Sequence, residues 1–200
     1  MDNALTRRYA ILAGASGALS LGALPALALT EAGARALIGN VVADINRAIN
    51  SGKTGGALFS DFEKIFTKYA DVPTISRSIL GPPARGASNA QLRAFSQSLT
   101  GYLSRKYGRR FRDFKGGEVE IVGARKLKSF LEVRGLVKAP GSAPYAVSFM
   151  VSDRSGRDKF FDMLIEGISL LKAERAEVGA ILDRVGGDVD KLTAELRRLG

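Results

Sequence analysis

The segment KFFDMLIEGISLL, residues Lys159–Leu171, decides how the fold is interpreted, because it is apolar on both faces of a strand. With a strand's period of two, one face carries Phe161, Met163 and Ile165, and the other carries Phe160 and Leu164. A strand at a protein surface is expected to be apolar on one side only. The segment therefore raises the question of what covers its second apolar face.

The composition excludes several kinds of site. The 200-residue chain is 46% hydrophobic and 25% charged, which is ordinary for one globular domain. It contains no Cys, so disulfides and thiolate sites are ruled out, and no His, which removes the commonest metal ligand and general base. A Ser-His-Asp triad cannot be built from such a chain. The composition therefore weighs against an enzyme, and it suggests no cofactor or metal.

The first 28 residues have the pattern of a signal peptide and not of folded structure. The pair Arg7–Arg8 precedes a weakly apolar core, Ala10–Leu24, and Ala26–Ala28 gives the small-x-small pattern of a signal-peptidase site. The letters TRRYAIL, which include that pair, partly resemble a twin-arginine export signal. An uncleaved anchor is disfavoured, because a membrane span needs about 20 apolar residues. We expect an exported protein in which residues 29–200 form a single domain.

The charge of the chain is strongly positive. The net charge of +10 falls to +9 on cleavage, because Asp2, Arg7 and Arg8 are removed. Basic residues cluster between residues 105 and 115 and again between 125 and 128. In a cytoplasmic protein this would suggest nucleic acid. For an exported protein the expected polyanions are phospholipid head groups or an acidic partner surface, and a solvated face without a partner is the alternative.

Helical patterns occupy both ends of the mature chain. Apolar spacing and helix-ending residues predict helices over 30–50 and 58–69, a short helix ending at Leu80, a helix from Ser88 to about Tyr107, and two C-terminal helices separated by Gly186–Asp188. Capping boxes are predicted at Ser60 with Glu63 and at Ser88 with Gln91. Gly108 is expected to terminate the helix that Ser88 begins.

Four strand-like segments lie between these helices, at residues 117–126, 128–138, 144–153 and 158–166. Their links are rich in turn-forming residues, so neighbouring strands are expected to pair antiparallel. The prediction is an α+β protein in which a curled antiparallel sheet of about four strands is packed with N- and C-terminal helices. Helices over its concave side would close either a filled core or a cavity, and periodicity does not separate the two.

Two segments, residues 80–111 and 156–197, carry residues that resemble a known family. The first contains Leu80-Gly81, Arg85, Ser88, Phe95, Tyr102 and Tyr107, and the second contains Lys159, Phe160, Asp162, Met163, Glu166, Gly167, Ile168, Ser169 and Arg175. Together they resemble the MlaC family of periplasmic phospholipid-binding proteins, also called toluene-tolerance auxiliary components. The chain departs from the family pattern at Asp158, where a tryptophan is usual, and at Pro82–Pro83, where a polar-aromatic pair is commoner.

The resemblance implies a periplasmic carrier that shuttles phospholipid between an outer-membrane lipoprotein–porin complex and an inner-membrane ABC transporter with a lipid-binding ring. It also implies an NTF2-like cone joined to a helical part around an apolar cavity. A carrier is needed because some 30 methylenes of a two-tailed lipid cost roughly 25 kcal/mol in water, at about 0.8 kcal/mol each. Neither the lipid, which could be a hopanoid, nor the direction of transport follows from the sequence.

On this interpretation the second apolar face of the opening segment is cavity wall. The expected lining is Val133, Val137, Val147, Phe149, Val151, Met163 and Ile165 from the sheet, and Leu80, Phe95, Leu99 and Tyr102 from the helices. Phe160 and Leu164 are expected to pack beneath the helices as ordinary core. Asp162 is expected to pair with an arginine such as Arg175, and Glu166 to cap backbone at the strand-to-helix turn.

Two other classes of function are compatible with the sequence. One is an exported interaction or scaffold module of similar fold, with a filled core and a basic docking face. The other is an enzyme that uses Asp162 or Glu166 as a base in an apolar pocket, which the missing His and Cys disfavour.

Overall fold

A computed structural model of the chain describes residues 29–111 and 114–200. The elements in chain order are α1 (Glu31–Asn50), α2 (Gly55–Tyr69), α3 (Val72–Leu80), α4 (Asn89–Phe111), β1 (Glu118–Leu127), β2 (Phe130–Lys138), β3 (Tyr145–Ser152), β4 (Lys159–Ile165), β5 (Ile168–Ser169), α5 (Leu170–Arg184) and α6 (Val189–Arg198). A 3-10 turn, Pro82–Arg85, links α3 to α4. The expected signal peptide lies outside the described residues, and among those residues no helix is long and apolar enough to span a membrane.

The strands form one curled, unclosed antiparallel sheet in the order β1-β2-β3-β4-β5, which confirms the predicted α+β class. The fifth strand was not predicted and has only two residues. It is joined to β4 by Glu166 and Gly167, whose φ angles are +49° and +77°. Positive φ at both central residues is the geometry of a type I′ hairpin turn, which glycine adopts without steric cost.

A β-bulge in β4 explains why the opening segment is apolar in both phases. Met163 pairs with Phe149 and Phe160 pairs with Val151, with a register shift between these two pairs. Phe149 and Val151 are two residues apart on β3 and point to the same face, so Phe160 and Met163 also share that face. The expectation that Phe160 and Leu164 share a face is therefore wrong. Leu164 pairs with Ser148 on the opposite, outer face of the sheet.

Two main apolar clusters hold the described residues together. The helical cluster joins α3, α4, α5 and α6. The sheet cluster joins α1 to one face of the sheet, which we call the inner face, and includes Ile38, Val41, Val133, Phe149 and Val151. Phe160 packs against both clusters and so links the helical part to the sheet.

The start and the end of α4 depend on different residues. The predicted capping box at its start is confirmed, since Gln91 N donates to Ser88 Oγ at 3.2 Å and Ser88 N donates to Gln91 Oε1 at 3.0 Å. The predicted stop at Gly108 is wrong. A Cβ at Gly108 would lie 2.8 Å from the Phe59 ring, so this glycine allows α2 and α4 to pack closely while the helix continues to Phe111.

The helix α2 begins earlier than its apolar pattern indicated. It starts at Gly55, and Thr54 is its N-cap residue without a side-chain cap bond. Ser60 and Glu63 therefore lie inside the helix, and the predicted capping box there is wrong. The two glycines at the start have no apolar side chain, so the apolar periodicity of the sequence did not predict this first turn of the helix.

Asp162 organises the corner where β4 turns into β5 and α5. Its carboxylate accepts hydrogen bonds from Ser169 Oγ at 2.6 Å, Leu171 N at 3.0 Å and Met163 N at 2.8 Å. The predicted pair with Arg175 is wrong, because Arg175 lies beside Gly81 instead. Backbone and hydroxyl donors satisfy this carboxylate.

Glu166 accepts a hydrogen bond from Ala146 N and so holds the turn to the start of β3. It caps backbone as expected, but at β3 and not at the start of α5. The residue that caps α5 is Ser169, which accepts from Lys172 N at 3.1 Å.

Asp44 joins α1 to the end of α2. It accepts hydrogen bonds from Tyr69 OH at 2.7 Å, Lys68 Nζ at 3.0 Å and Arg47 Nη1 at 2.5 Å. These donors, with Tyr69 the strongest, lower the pKa of Asp44 from 3.8 to about 2. Asp44 therefore remains ionised, and attached to both helices, at acidities where an ordinary aspartate is protonated.

We expect Asp162→Ala to lower the free energy of unfolding by about 2 kcal/mol, because Ser169 Oγ and Leu171 N lose their acceptor. Asp183→Ala, at an exposed position of α5, removes the same charge and should change this energy by less than about 0.5 kcal/mol. Urea unfolding at neutral pH measures both. Equal losses in the two variants would contradict a structural role for Asp162.

We expect Asp44→Asn to lower the free energy of unfolding by about 1 kcal/mol at pH 6. Because the folded pKa of about 2 lies below 3.8, the stabilisation is complete above pH 3.8 and is lost as the pH falls through 2. The difference between wild type and variant should therefore shrink over this range. Asp61→Asn is the control, since Asp61 pairs with two exposed lysines, Lys53 and Lys64. A difference that stays constant down to pH 2 would contradict this role of Asp44.

Candidate ligand-binding cavity

A cavity of about 400 Å³ lies between the helices and the inner face of the sheet. Its wall is built mainly from aliphatic and phenylalanine side chains. From α1 and α2 these are Val41, Val42, Ile45, Ile49, Phe62, Ile65 and Phe66. From the sheet they are Val119, Val137, Val147, Phe149, Phe160, Met163 and Ile165. Such a wall, concave and mostly apolar, is typical of a site for an apolar ligand.

The cavity exists because the helices meet the sheet at its two sides. The helix α1 packs over β1 and β2, whereas α3 and α5 pack against β4. The inner face of β3, which carries Val147 and Phe149, lies between these contacts. Both residues line the cavity, so the uncovered apolar surface of the middle strand becomes wall instead of filled core.

Phe160 fixes one side of the wall through two aromatic contacts. Its ring makes edge-to-face contacts with Phe66 of α2 at 6.1 Å and with Phe149 of β3 at 6.2 Å between ring centroids. Contacts of this kind contribute about 0.5–1.5 kcal/mol each beyond the burial of area. The bulge therefore does more than change the phase of β4, since it brings α2 and the sheet together at the cavity.

A charged network stands beside the cavity, between α4 and α5. Lys106 Nζ donates to Glu174 Oε1 at 2.7 Å and to Glu177 Oε2 at 2.5 Å. Tyr107 OH also donates to Glu174 Oε1, and Tyr102 OH donates to Glu177. Glu174 Oε2 is buried and has no hydrogen-bond partner within residues 29–111 and 114–200. The network joins the two helices where both contribute to the cavity wall.

The network keeps its donors protonated at neutral pH. Burial opposes the charged form of Lys106, but its hydrogen bonds to Glu174 and Glu177 prevail and raise its pKa. Burial, assisted by Glu177, raises the pKa of Tyr102 to about 12. The hydrogen bonds from Lys106 and Tyr102 lower the pKa of Glu177. These groups are therefore engaged with one another and do not form a free acid-base pair.

Five of the eleven residues expected from the sequence lie in the cavity wall: Val137, Val147, Phe149, Met163 and Ile165. The other six lie elsewhere. Val133 and Val151 are on the inner face but are completely buried against other side chains and do not line the cavity. Leu80, Phe95, Leu99 and Tyr102 are buried in the helical cluster.

The helix α4 meets the cavity with its C-terminal turns and not with the positions expected. The stripe with Phe95 and Leu99 packs within the helical cluster, whereas Leu103, Tyr107 and Gly108 line the cavity. The contributions of α1 and α2 were missing from the expected lining altogether. The sequence did contain an indication that α2 contributes to the lining. Its apolar face, which includes Phe62 and Phe66, is too broad to be covered by a single neighbouring element.

Comparison with known proteins identifies the family. A sequence model described as MlaC protein matches residues 36–198, which include both segments that carry the resemblance. A solved structure of a phospholipid-binding protein from Ralstonia solanacearum, in complex with a phospholipid, matches with a TM-score of 0.69 and 19% identity. The match covers 82% of this chain and 98% of that chain, so the two share a fold. The chain belongs to the MlaC family.

Proposed function

We propose that the protein is a phospholipid carrier that holds the acyl tails of its ligand in the cavity. The observation that carries this proposal is an apolar cavity of about 400 Å³ in a member of the MlaC family. The helices and strands that form its wall lie within residues 36–198, which the family model matches, except for the first turn of α1. The structural relative from Ralstonia solanacearum, which was solved with a phospholipid, supports phospholipid as the ligand class.

The energetics of the cavity also favour an apolar occupant. Empty apolar cavities cost about 24 cal/mol per Å³, so a fully enclosed cavity of this size would cost at most about 10 kcal/mol if nothing filled it. That is comparable to the whole stability of a typical domain. Acyl tails would restore contacts to the wall and would themselves leave water, at about 0.8 kcal/mol per methylene. Protein and ligand therefore stabilise each other.

The wider proposal is that this carrier works in the periplasm after export by its N-terminal segment. Its partners would be an inner-membrane ABC transporter with a lipid-binding ring and an outer-membrane lipoprotein–porin complex. A binding and transport role fits the carboxylates of the opening segment better than catalysis does. Asp162 and Glu166 both accept hydrogen bonds from backbone groups, which suits a role in holding the fold.

We expect native mass spectrometry of protein isolated from a bacterial periplasm to show a discrete mass excess that extraction identifies as a two-tailed phospholipid. Delipidated protein should melt at a lower temperature, because a ligand that binds only the folded state stabilises it. Reloading with lipid should restore the melting temperature. A bare protein mass, together with no uptake of lipid from vesicles, would contradict the proposal and favour a scaffold with a filled core.

We expect Met163→Glu to reduce the uptake of phospholipid at least about tenfold, because a carboxylate in the wall would lose its hydration when tails enter. Leu164→Glu is a matched control, since the next residue of β4 points to the outer face. It should leave uptake close to that of wild type. Circular dichroism checks that both variants fold, and a folded Met163→Glu protein with normal uptake would remove Met163 from the binding wall.

A further inference from the structure

We propose that Arg110 binds the phosphodiester of the ligand, so that the cavity selects phosphodiester lipids over uncharged lipids with the same tails. This inference rests on the proposed carrier function and adds the residue that recognises the phosphodiester of the lipid. Arg110 would contact the polar end of the ligand, whereas the apolar wall would contact its tails.

The position of Arg110 suits this role. It lies in the last turn of α4, and it is the only basic residue that lines the cavity within the described part of the chain. It is also exposed to solvent, unlike the neighbouring lining residue Gly108, which is buried. A residue that both lines a cavity and meets solvent lies at its opening, which is where the charged group of a lipid must remain.

The guanidinium of Arg110 is not occupied by a carboxylate in residues 29–111 and 114–200. No side-chain oxygen of Asp or Glu in these residues lies within ion-pair distance of it. The two carboxylates that line the cavity are Asp162 and Glu174, and both are held by other groups. Glu177 is close enough for the charge of Arg110 to favour its ionised form, but it is held by Lys106 and Tyr102.

The chemistry of the two groups is complementary. A guanidinium presents a planar fork of N–H donors that matches two oxygens of a phosphate, and charge-assisted bonds of this kind are stronger than neutral ones. An uncharged lipid such as diacylglycerol offers the same tails but no anion. Its binding would leave Arg110 hydrated and would gain nothing from it.

A comparison with the neighbouring Arg109 distinguishes a direct contact with the lipid from a general attraction by positive charge. It carries the same charge on the same turn of α4 and is exposed, but it does not line the cavity. If the net positive charge alone attracted anionic lipids, both arginines would contribute alike. If a direct contact with the phosphodiester is responsible, only the substitution of Arg110 should reduce the preference for a phosphodiester lipid.

The test measures the affinity of delipidated protein for phosphatidylglycerol and for diacylglycerol with identical acyl chains, each delivered in the same non-ionic detergent. Wild type is expected to bind phosphatidylglycerol at least about tenfold more tightly, as for a hydrogen bond to a charged group. Arg110→Gln should lose most of this preference while its affinity for diacylglycerol is unchanged. Arg109→Gln should behave as wild type.

The outcomes separate this inference from the carrier function. If wild type binds neither lipid, the proposed function fails and the inference fails with it. If wild type binds both lipids equally, or Arg110→Gln keeps the preference, the carrier function stands and the role of Arg110 is overturned. Inorganic phosphate in large excess should not displace the lipid, and displacement would assign Arg110 to a free-phosphate site instead.

Discussion

The rest of the structure depends on how the inner face of the sheet is shared between helices and cavity. The helix α1 covers β1 and β2, and α3 and α5 reach β4, so the middle strand β3 has no helix packed directly along it. Its inner residues Val147 and Phe149 are apolar and cannot face water without cost. The fold resolves this by placing both residues in the wall of the cavity.

The bulge in β4 is the local device that completes this enclosure. One extra residue turns Phe160 to the same face as Met163, and its ring then bridges α2 and the sheet at the wall. Asp162, in the middle of the same strand, also ties β4 to the start of α5, because its carboxylate accepts a hydrogen bond from Leu171 N. The opening segment is thus a strand whose side chains change phase at the bulge, next to an apolar cavity.

The polar groups around the cavity are mostly engaged with the protein itself. Glu174 and Glu177 are held by Lys106 and by two tyrosines, which keeps α4 and α5 together without presenting a reactive pair. Arg110 differs because it lines the cavity, meets solvent and has no carboxylate partner among the described residues. In the described part of the chain, the wall therefore combines a large apolar surface with one basic side chain, which would complement a lipid that carries an anionic group.

The sequence by itself determined the α+β class, the antiparallel order of four strands, the cap at Ser88 and the family, since these depend on local periodicity, turn chemistry and motif residues. Five of the residues that it assigned to the lining lie in the cavity wall on the inner face of the sheet, as strand alternation allows. It did not reveal the bulge at Phe161, because one inserted residue leaves no mark in composition. Only the tertiary structure decided which turns of α4 reach the cavity and that Gly108 allows a close approach of two helices. It also decided that Val133 is completely buried while Val147 lines the cavity. These outcomes depend on which elements meet, and an apolar residue has the same local signal whether a helix, another strand or a ligand covers it.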